Sequence, residues 1–105
     1  ETRAGVAALD DILAVEGVDA VFIGPSDLSA NYGHIGNPGA PEVVEAVQSS
    51  LDKIAASDKA SGIMALDPAA AKSYLDGGVD FVAVSIDART LALSLRAIAA
   101  DMRNR

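Results

Sequence analysis

Three short, continuous apolar runs, each closed by turn residues and separated by stretches with helical spacing, constrain this chain more than any other feature. The runs occupy residues 18–24, 60–66 and 81–86. An apolar run without strict alternation reads as a strand covered on both faces, which parallel sheets require. Between the runs the spacing changes. On 3–15, Val6, Leu9 and Leu13 recur at intervals of three and four, and on 41–58 Val43, Val47, Leu51 and Ile54 do the same. After the third run, Leu91, Leu95, Ile98 and Met102 share one helical face. Gly17 stands where a left-handed helix cap is cheapest. Asp67-Pro68 reads as an N-cap and first-turn proline opening a short helix that ends at Gly77-Gly78, and Asp87 reads as the cap of the last helix. Residues 25–40, rich in Gly, Ser, Asn and Pro, read as a loop.

Strand–helix alternation implies an α/β fold with parallel strands joined by right-handed crossovers. Three strands cannot close a barrel of eight. The chain is therefore either a small open α/β domain or a contiguous part of a larger one. Its 105 residues, beginning at Glu1 rather than at a methionine, suit one domain at most and are expected to be a piece of something longer.

Half of the residues are hydrophobic but only 4% are aromatic, so the core is expected to consist of Ala, Val, Ile and Leu. Eight basic side chains against 15 acidic ones give a net charge of −7. Phosphates would be repelled, which disfavours nucleic acid and anionic membranes as partners. With no cysteine there is no disulfide framework, zinc-thiolate site or thiol nucleophile, in keeping with a reducing cytosol. No apolar run approaches the roughly 18 residues of a membrane span, and no basic-then-apolar start marks a signal peptide. A soluble, cytoplasmic protein is expected.

Ligands of parallel α/β folds bind beyond the carboxyl ends of the strands. After the first run comes Gly24-Pro25-Ser26-Asp27-Leu28-Ser29. This tight turn can aim backbone N–H groups and the Asp27 carboxylate at one point, the arrangement that suits a hard divalent cation and its anionic ligand. Alternatively, Asp27 caps a short helix through a bond to Ser29 or Ala30. Met64, at the end of the second run, suits a pocket wall or simple core. Ser85 could meet a ligand or fill a crowded strand end. The only histidine, His34, lacks a partner at a catalytic spacing. Lys53, Lys59 and Lys72 fall away from the strand ends, which disfavours imine chemistry.

Taken as an ordered set, Glu1-Thr2-Arg3, the stretch from Glu16-Gly17-Val18-Asp19 to Gly24-Pro25-Ser26-Asp27-Leu28-Ser29, Gly36-Asn37-Pro38, Pro41-Glu42-Val43 and Phe81-Val82-Ala83-Val84 resemble the metal-dependent class II pyruvate aldolases. This is the family of 4-hydroxy-2-oxoheptanedioate (2,4-dihydroxyhept-2-ene-1,7-dioate) aldolase and 2-dehydro-3-deoxyglucarate aldolase. The resemblance runs from Glu1 to about Arg103. It implies the C-terminal portion of a TIM (β/α)8 barrel, with residues 1–105 a single partial domain of about three parallel strands with their helices. It also implies a lyase that cleaves 4-hydroxy-2-oxo acids reversibly to pyruvate and an aldehyde. The divalent metal (Mg, Mn or Co) would be held by Glu1 and Asp27, with waters and the 2-oxo acid completing its shell. Gly24, Ser26, Asp27 and Met64 fall at substrate-binding positions, Ser26 where a backbone amide holds the pyruvate carboxylate and Met64 beside the aldehyde half. The metal would then stabilise the enolate formed when the C3–C4 bond breaks. The family's base His and enolate-stabilising Arg lie upstream, so no catalytic residue is expected within 1–105, and the fragment alone is expected to be inactive. The family is usually a hexamer in which the last helix crosses a subunit boundary, so a homo-oligomer is expected. The pattern departs at Ser85, where Gly is usual, adding a side chain near the pocket mouth.

Two other readings stand beside this one. A related barrel lyase would cleave a citryl- or malyl-thioester by the same kind of enolate chemistry, and would carry a coenzyme A pocket. A non-catalytic α/β binding or assembly module would use Asp27 only as a helix cap.

Overall fold

The computed structural model describes residues 1–105. Its elements run α1 (Arg3–Ala7), α2 (Leu9–Leu13), β1 (Ala20–Ile23), α3 (Pro25–Asn31), α4 (Pro41–Ala55), β2 (Ala60–Ala65), α5 (Pro68–Asp76), β3 (Phe81–Val84) and α6 (Asp87–Arg103). The strands form one sheet in the order β1-β2-β3, and both pairings are parallel. The expected α/β architecture of three parallel strands with helices is therefore present.

Register divides the sheet into two unlike faces. Ile23 pairs with Ile63 and Ile63 with Val82. These side chains pack against α4, whose Val43, Val47, Leu51 and Ile54 are all buried, as their spacing predicts. On the opposite face Phe22 pairs with Gly62 and Gly62 with Phe81. The two rings meet across the glycine with centroids 5.7 Å apart. Met64 follows Gly62 by two residues and therefore shares this second face. Below it, the Asp80 carboxylate accepts from both the Ser61 backbone N–H at 2.7 Å and the Ser61 hydroxyl at 3.1 Å, pinning the entrance of β3 to β2.

Several boundaries differ from the sequence expectation, each for a local reason. The helix expected over 3–15 is two short helices meeting at Ala8, whose φ of −90° and ψ of 5° tighten the turn. Hydrogen bonds still run through it, from Ala8 N to Ala4 O and from Ile12 N to Ala8 O, so Leu9 is buried and Val6 and Leu13 keep their shared face. The expected loop over 25–40 contains α3. Pro25 pre-sets its first turn, Leu28 N donates to Gly24 O at 2.9 Å, and Leu28 is only 1% exposed. β3 stops at Val84 rather than at residue 86 because Ser85 turns the chain with a φ of +62°, the only left-handed residue here that is not glycine. Consequently Ile86 occupies the N-cap of α6, and Asp87 is its first helical residue instead of its cap. Asp67 caps α5 as expected, its Oδ1 accepting from the N–H groups of Ala69 and Ala70.

The last helix stands apart. Its 17 residues include none that is buried, and Leu91, Leu95, Ile98 and Met102 are all more than half exposed. A Cα radius of gyration of 16.3 Å reflects this projection; a compact chain of this length would have about 13 Å. No helix is long and apolar enough to cross a membrane.

Candidate active site at the strand ends

Glu1, Thr2 and Arg3 have three distinct jobs at the start of α1. Thr2 is its N-cap, with Oγ1 accepting from Gly5 N at 2.9 Å. Glu1, just before the cap, folds back onto the end of β1. A Cβ placed on Gly24 would stand 3.1 Å from both Cγ and Oε1 of Glu1. Gly24 is therefore needed for space and not for its backbone angles, since its φ is −107°. The missing side chain makes a seat that the Glu1 carboxylate fills.

Gly24 is also the N-cap of α3, and no side chain caps that helix. Asp27 is its third residue, within one hydrogen-bonded turn of Gly24. Its carboxylate is exposed and makes no capping bond. The expected alternative, a bond from Asp27 to the amides of Ser29 or Ala30, is absent. Ser29 instead turns its hydroxyl to Ser26 O at 2.7 Å. Nothing in the chain neutralises Asp27, and an exposed unpaired carboxylate one turn from a second is suited to a hard cation.

The donor set fits such an ion. Nowhere do three or more His, Cys, Asp or Glu side chains converge, so a cation between Glu1 and Asp27 would complete its shell from water and ligand. All-oxygen coordination with one or two protein carboxylates is the usual manner of Mg2+ and its relatives.

Ser26 and Met64 line a common cavity of about 310 Å3 between the carboxyl ends of β1 and β2, roofed by Pro38 and walled by Val47, Leu66 and Tyr74. Gly24 and Asp27 are not among its lining residues, and Glu1 borders a separate apolar hollow beside Phe22 and Leu9. The structure thus brings the nominated residues together as two pairs, Glu1 with Gly24 and Ser26 with Met64, and the first turn of α3 joins them. Ser85 is half-buried at the end of β3, its Oγ 3.1 Å from Thr90 Oγ1. Of the lysines, Lys53 lies in the last turn of α4 and pairs with Asp10 at 2.9 Å, far from this end of the sheet.

One cluster was not legible in the sequence. Arg3 Nη2 donates to Glu42 Oε1 at 2.9 Å, and its guanidinium carbon sits 3.9 Å from the centroid of the Tyr32 ring. The other Glu42 oxygen lies 3.2 Å from Nε2 of His34, so the lone histidine is engaged as a carboxylate partner. The Arg3 backbone N–H donates to Asn31 Oδ1 at 2.7 Å. Apart from its place in the Pro41-Glu42-Val43 motif, only the acidic first turn hinted at Glu42; its partner is 39 residues away. The hydrogen bond from Arg3, and after it the one from His34, holds the Glu42 carboxyl below the ordinary glutamate range. A depressed folded-state value adds stability above the unfolded pKa of about 4.3, and loses it as pH falls through the folded value. Because Arg3 and Glu42 are about half exposed, the thermal midpoint of the protein should exceed that of Glu42→Gln only slightly at neutral pH, and the two curves should converge on acidification below about pH 4. A difference independent of pH would show that the charge of Glu42 adds nothing.

Comparison with known proteins places the chain in a family. The family model described as HpcH/HpaI aldolase/citrate lyase matches residues 1–93. The chain is 50% identical over 103 residues to a hydroxypyruvate/pyruvate aldolase of Roseovarius nubinhibens, covering 98% of this chain and 40% of that protein. It is 48% identical over 100 residues to a 4-hydroxy-2-oxo-heptane-1,7-dioate aldolase of Salmonella paratyphi B, covering 95% of this chain and 38% of the other. Among solved structures, a HpcH/HpaI aldolase/citrate lyase family protein from Burkholderia cenocepacia superposes with a TM-score of 0.87 at 36% identity, over 98% of this chain and 40% of its own. The chain thus spans about two fifths of the length of the relatives it matches. Its three strands and their helices are the counterpart of part of those larger folds, and the chain belongs to the HpcH/HpaI aldolase/citrate lyase family.

Proposed function

We propose that the protein carrying these residues is a divalent-metal-dependent aldolase that cleaves 4-hydroxy-2-oxo acids reversibly to pyruvate and an aldehyde. The single observation that carries this reading is the Glu1 carboxylate seated on Gly24, one helical turn from the unpaired Asp27. Relatives named as pyruvate and hydroxy-oxo-acid aldolases supply the reaction class. When bound, a dication (Mg2+, Mn2+ or Co2+) supplies Lewis-acid polarisation of the keto and carboxylate oxygens of the 2-oxo acid.

The chain's own residues account for the rest of the site's geometry. Glu1 and Asp27 would hold the ion. The backbone N–H of Ser26, in the first turn of α3, has no helical acceptor and is free to take the substrate carboxylate. Met64, at the carboxyl end of β2 on the face away from α4, would offer its apolar side chain to the carbon chain of the aldehyde half. In the cleavage the C3–C4 bond breaks, its electron pair stays with the pyruvate half, and the C4 hydroxyl becomes the aldehyde as it gives up its proton. His34 is engaged with Glu42, and the family resemblance puts the base that takes this proton outside residues 1–105.

On this reading residues 1–105 form one partial domain, the C-terminal part of the barrel, in a cytoplasmic enzyme. The exposed stripe on α6 is then the surface that a neighbouring protomer covers in a homo-oligomer. Asp27 makes no side-chain cap bond, so the capping role that a non-catalytic module would give it is not seen, although it lies in the acidic first turn of α3.

The test is pyruvate release from a 4-hydroxy-2-oxo acid by the full natural chain. Activity should fall to background in EDTA and return on adding Mg2+ or Mn2+. Release indifferent to EDTA would overturn the metal assignment. Turnover of a citryl- or malyl-thioester in place of the hydroxy-oxo acid would move the protein to the other reaction type in its family.

A further inference from the structure

Arg3 is held at three points although most of its surroundings are solvent. Its guanidinium meets Glu42 at 2.9 Å and lies over Tyr32, its backbone N–H is taken by Asn31, and Glu42 is fixed from its other side by His34. Arg3, Glu42 and His34 side chains are 57%, 48% and 39% exposed. Ion pairs this open contribute little to stability, so holding the fold together does not account for the convergence. Its location does. Arg3 is two residues from Glu1, and only the N-cap Thr2 stands between them. Glu42, His34, Tyr32 and Asn31 all lie between the end of α3 and the first turn of α4, on the segment that follows Asp27.

We propose that Glu42 is a positioning residue of the aldolase site: through Arg3 it fixes the Glu1 segment against the segment that carries Asp27, and so sets the separation of the two carboxylates. The proposal rests on the reading of Glu1 and Asp27 as the metal-holding pair. Neither Glu42 nor Arg3 touches the ion. They act on a short element: α1 is five residues long with no fully buried side chain, and within it only Val6 packs against the core.

The experiment is a double-mutant cycle on the full natural chain, read as Mn2+ affinity by calorimetry together with the thermal midpoint. Loss of a residue that orients a metal ligand typically weakens binding about 10–100-fold. Glu42→Ala and Arg3→Ala should each weaken Mn2+ binding about 10-fold. The double variant should do no worse than either alone, because one clamp is lost in all three. Glu42→Gln keeps an acceptor for Arg3 and should lie between wild type and Glu42→Ala; it also carries the test if the alanine variant does not fold. Unchanged Mn2+ affinity in these variants, or losses that multiply in the double variant, would overturn the proposal. Glu1→Gln separates the two levels of inference. If it weakens Mn2+ binding while Glu42→Ala does not, the positioning role fails and the metal pair stands. If it too leaves Mn2+ affinity unchanged, the underlying site assignment fails and the positioning proposal falls with it.

Discussion

Glu1→Gln and Asp27→Asn should each reduce the affinity of the full natural chain for Mn2+ by more than about 100-fold, beyond the usual loss for a residue that only orients a ligand. Both side chains are exposed, and Asp27 makes no capping bond that its replacement would remove. Surface substitutions of this kind usually change stability by no more than about 0.5 kcal/mol, so binding and folding should separate cleanly. Each change is nearly isosteric, leaving a neutral amide where a hard cation requires a charged oxygen donor. Gly24→Ala should reproduce part of the loss with both carboxylates intact. Its new Cβ would press on the Glu1 carboxylate at 3.1 Å, and Glu1 is the flexible partner that must give way. Calorimetric titration with Mn2+ and a thermal melt of each variant make the comparison. Wild-type affinity in both carboxylate variants would rule out this pair as the metal site.

That pair was legible in the sequence only in part. Asp27 stood out because it follows an apolar run closed by Gly24-Pro25, and strand ends are where α/β folds bind ligands. Glu1 had no such physical signal and came from the resemblance of the Glu1-Thr2-Arg3 motif alone. Its contact with Gly24 joins two points 23 positions apart, a relation that periodicity does not encode. The same limit explains the Arg3–Glu42–His34 cluster, in which each residue reads by itself as a solvated charge. The helices of the core were the easiest features to see. Val43, Val47, Leu51 and Ile54 sit in register because one face of a 15-residue helix must be buried. Helix α3 was hidden for the opposite reason. At seven residues with one fully buried leucine, it is too short to show a period, and its Ser and Asn content resembles a loop. Ser85 ended β3 two residues early because a left-handed backbone is a property of the turn, and a serine there does not announce it.

The largest effect on the fold should come from Gly62. It is flanked in the sheet by Phe22 on β1 and Phe81 on β3, and both rings lean over the space where its side chain would be. A Cβ there would overlap the Phe81 Cζ and stand 2.7 Å from Cδ2 of Phe22. Strand propensity alone would favour a β-branched residue at this position in a central strand. Crowding points the other way: both rings would have to move, giving up their 5.7 Å contact. Overpacking a tight core costs about 1–3 kcal/mol for one added carbon; Phe22 and Phe81 are 40% and 44% exposed and can swing aside, so Gly62→Ala should fall at the low end of that range and Gly62→Val above it. Trimming the nearer ring should relieve most of the clash, so that Phe81→Leu combined with Gly62→Ala is less destabilised than the two single changes added together. Thermal or urea unfolding of the four proteins decides it. A Gly62→Ala variant as stable as wild type would mean that the rings relax freely and that β2 is shaped by propensity instead. Because Met64 lies two residues further along the same face, displacement of the strand here would also reach the cavity wall that Met64 shares with Ser26.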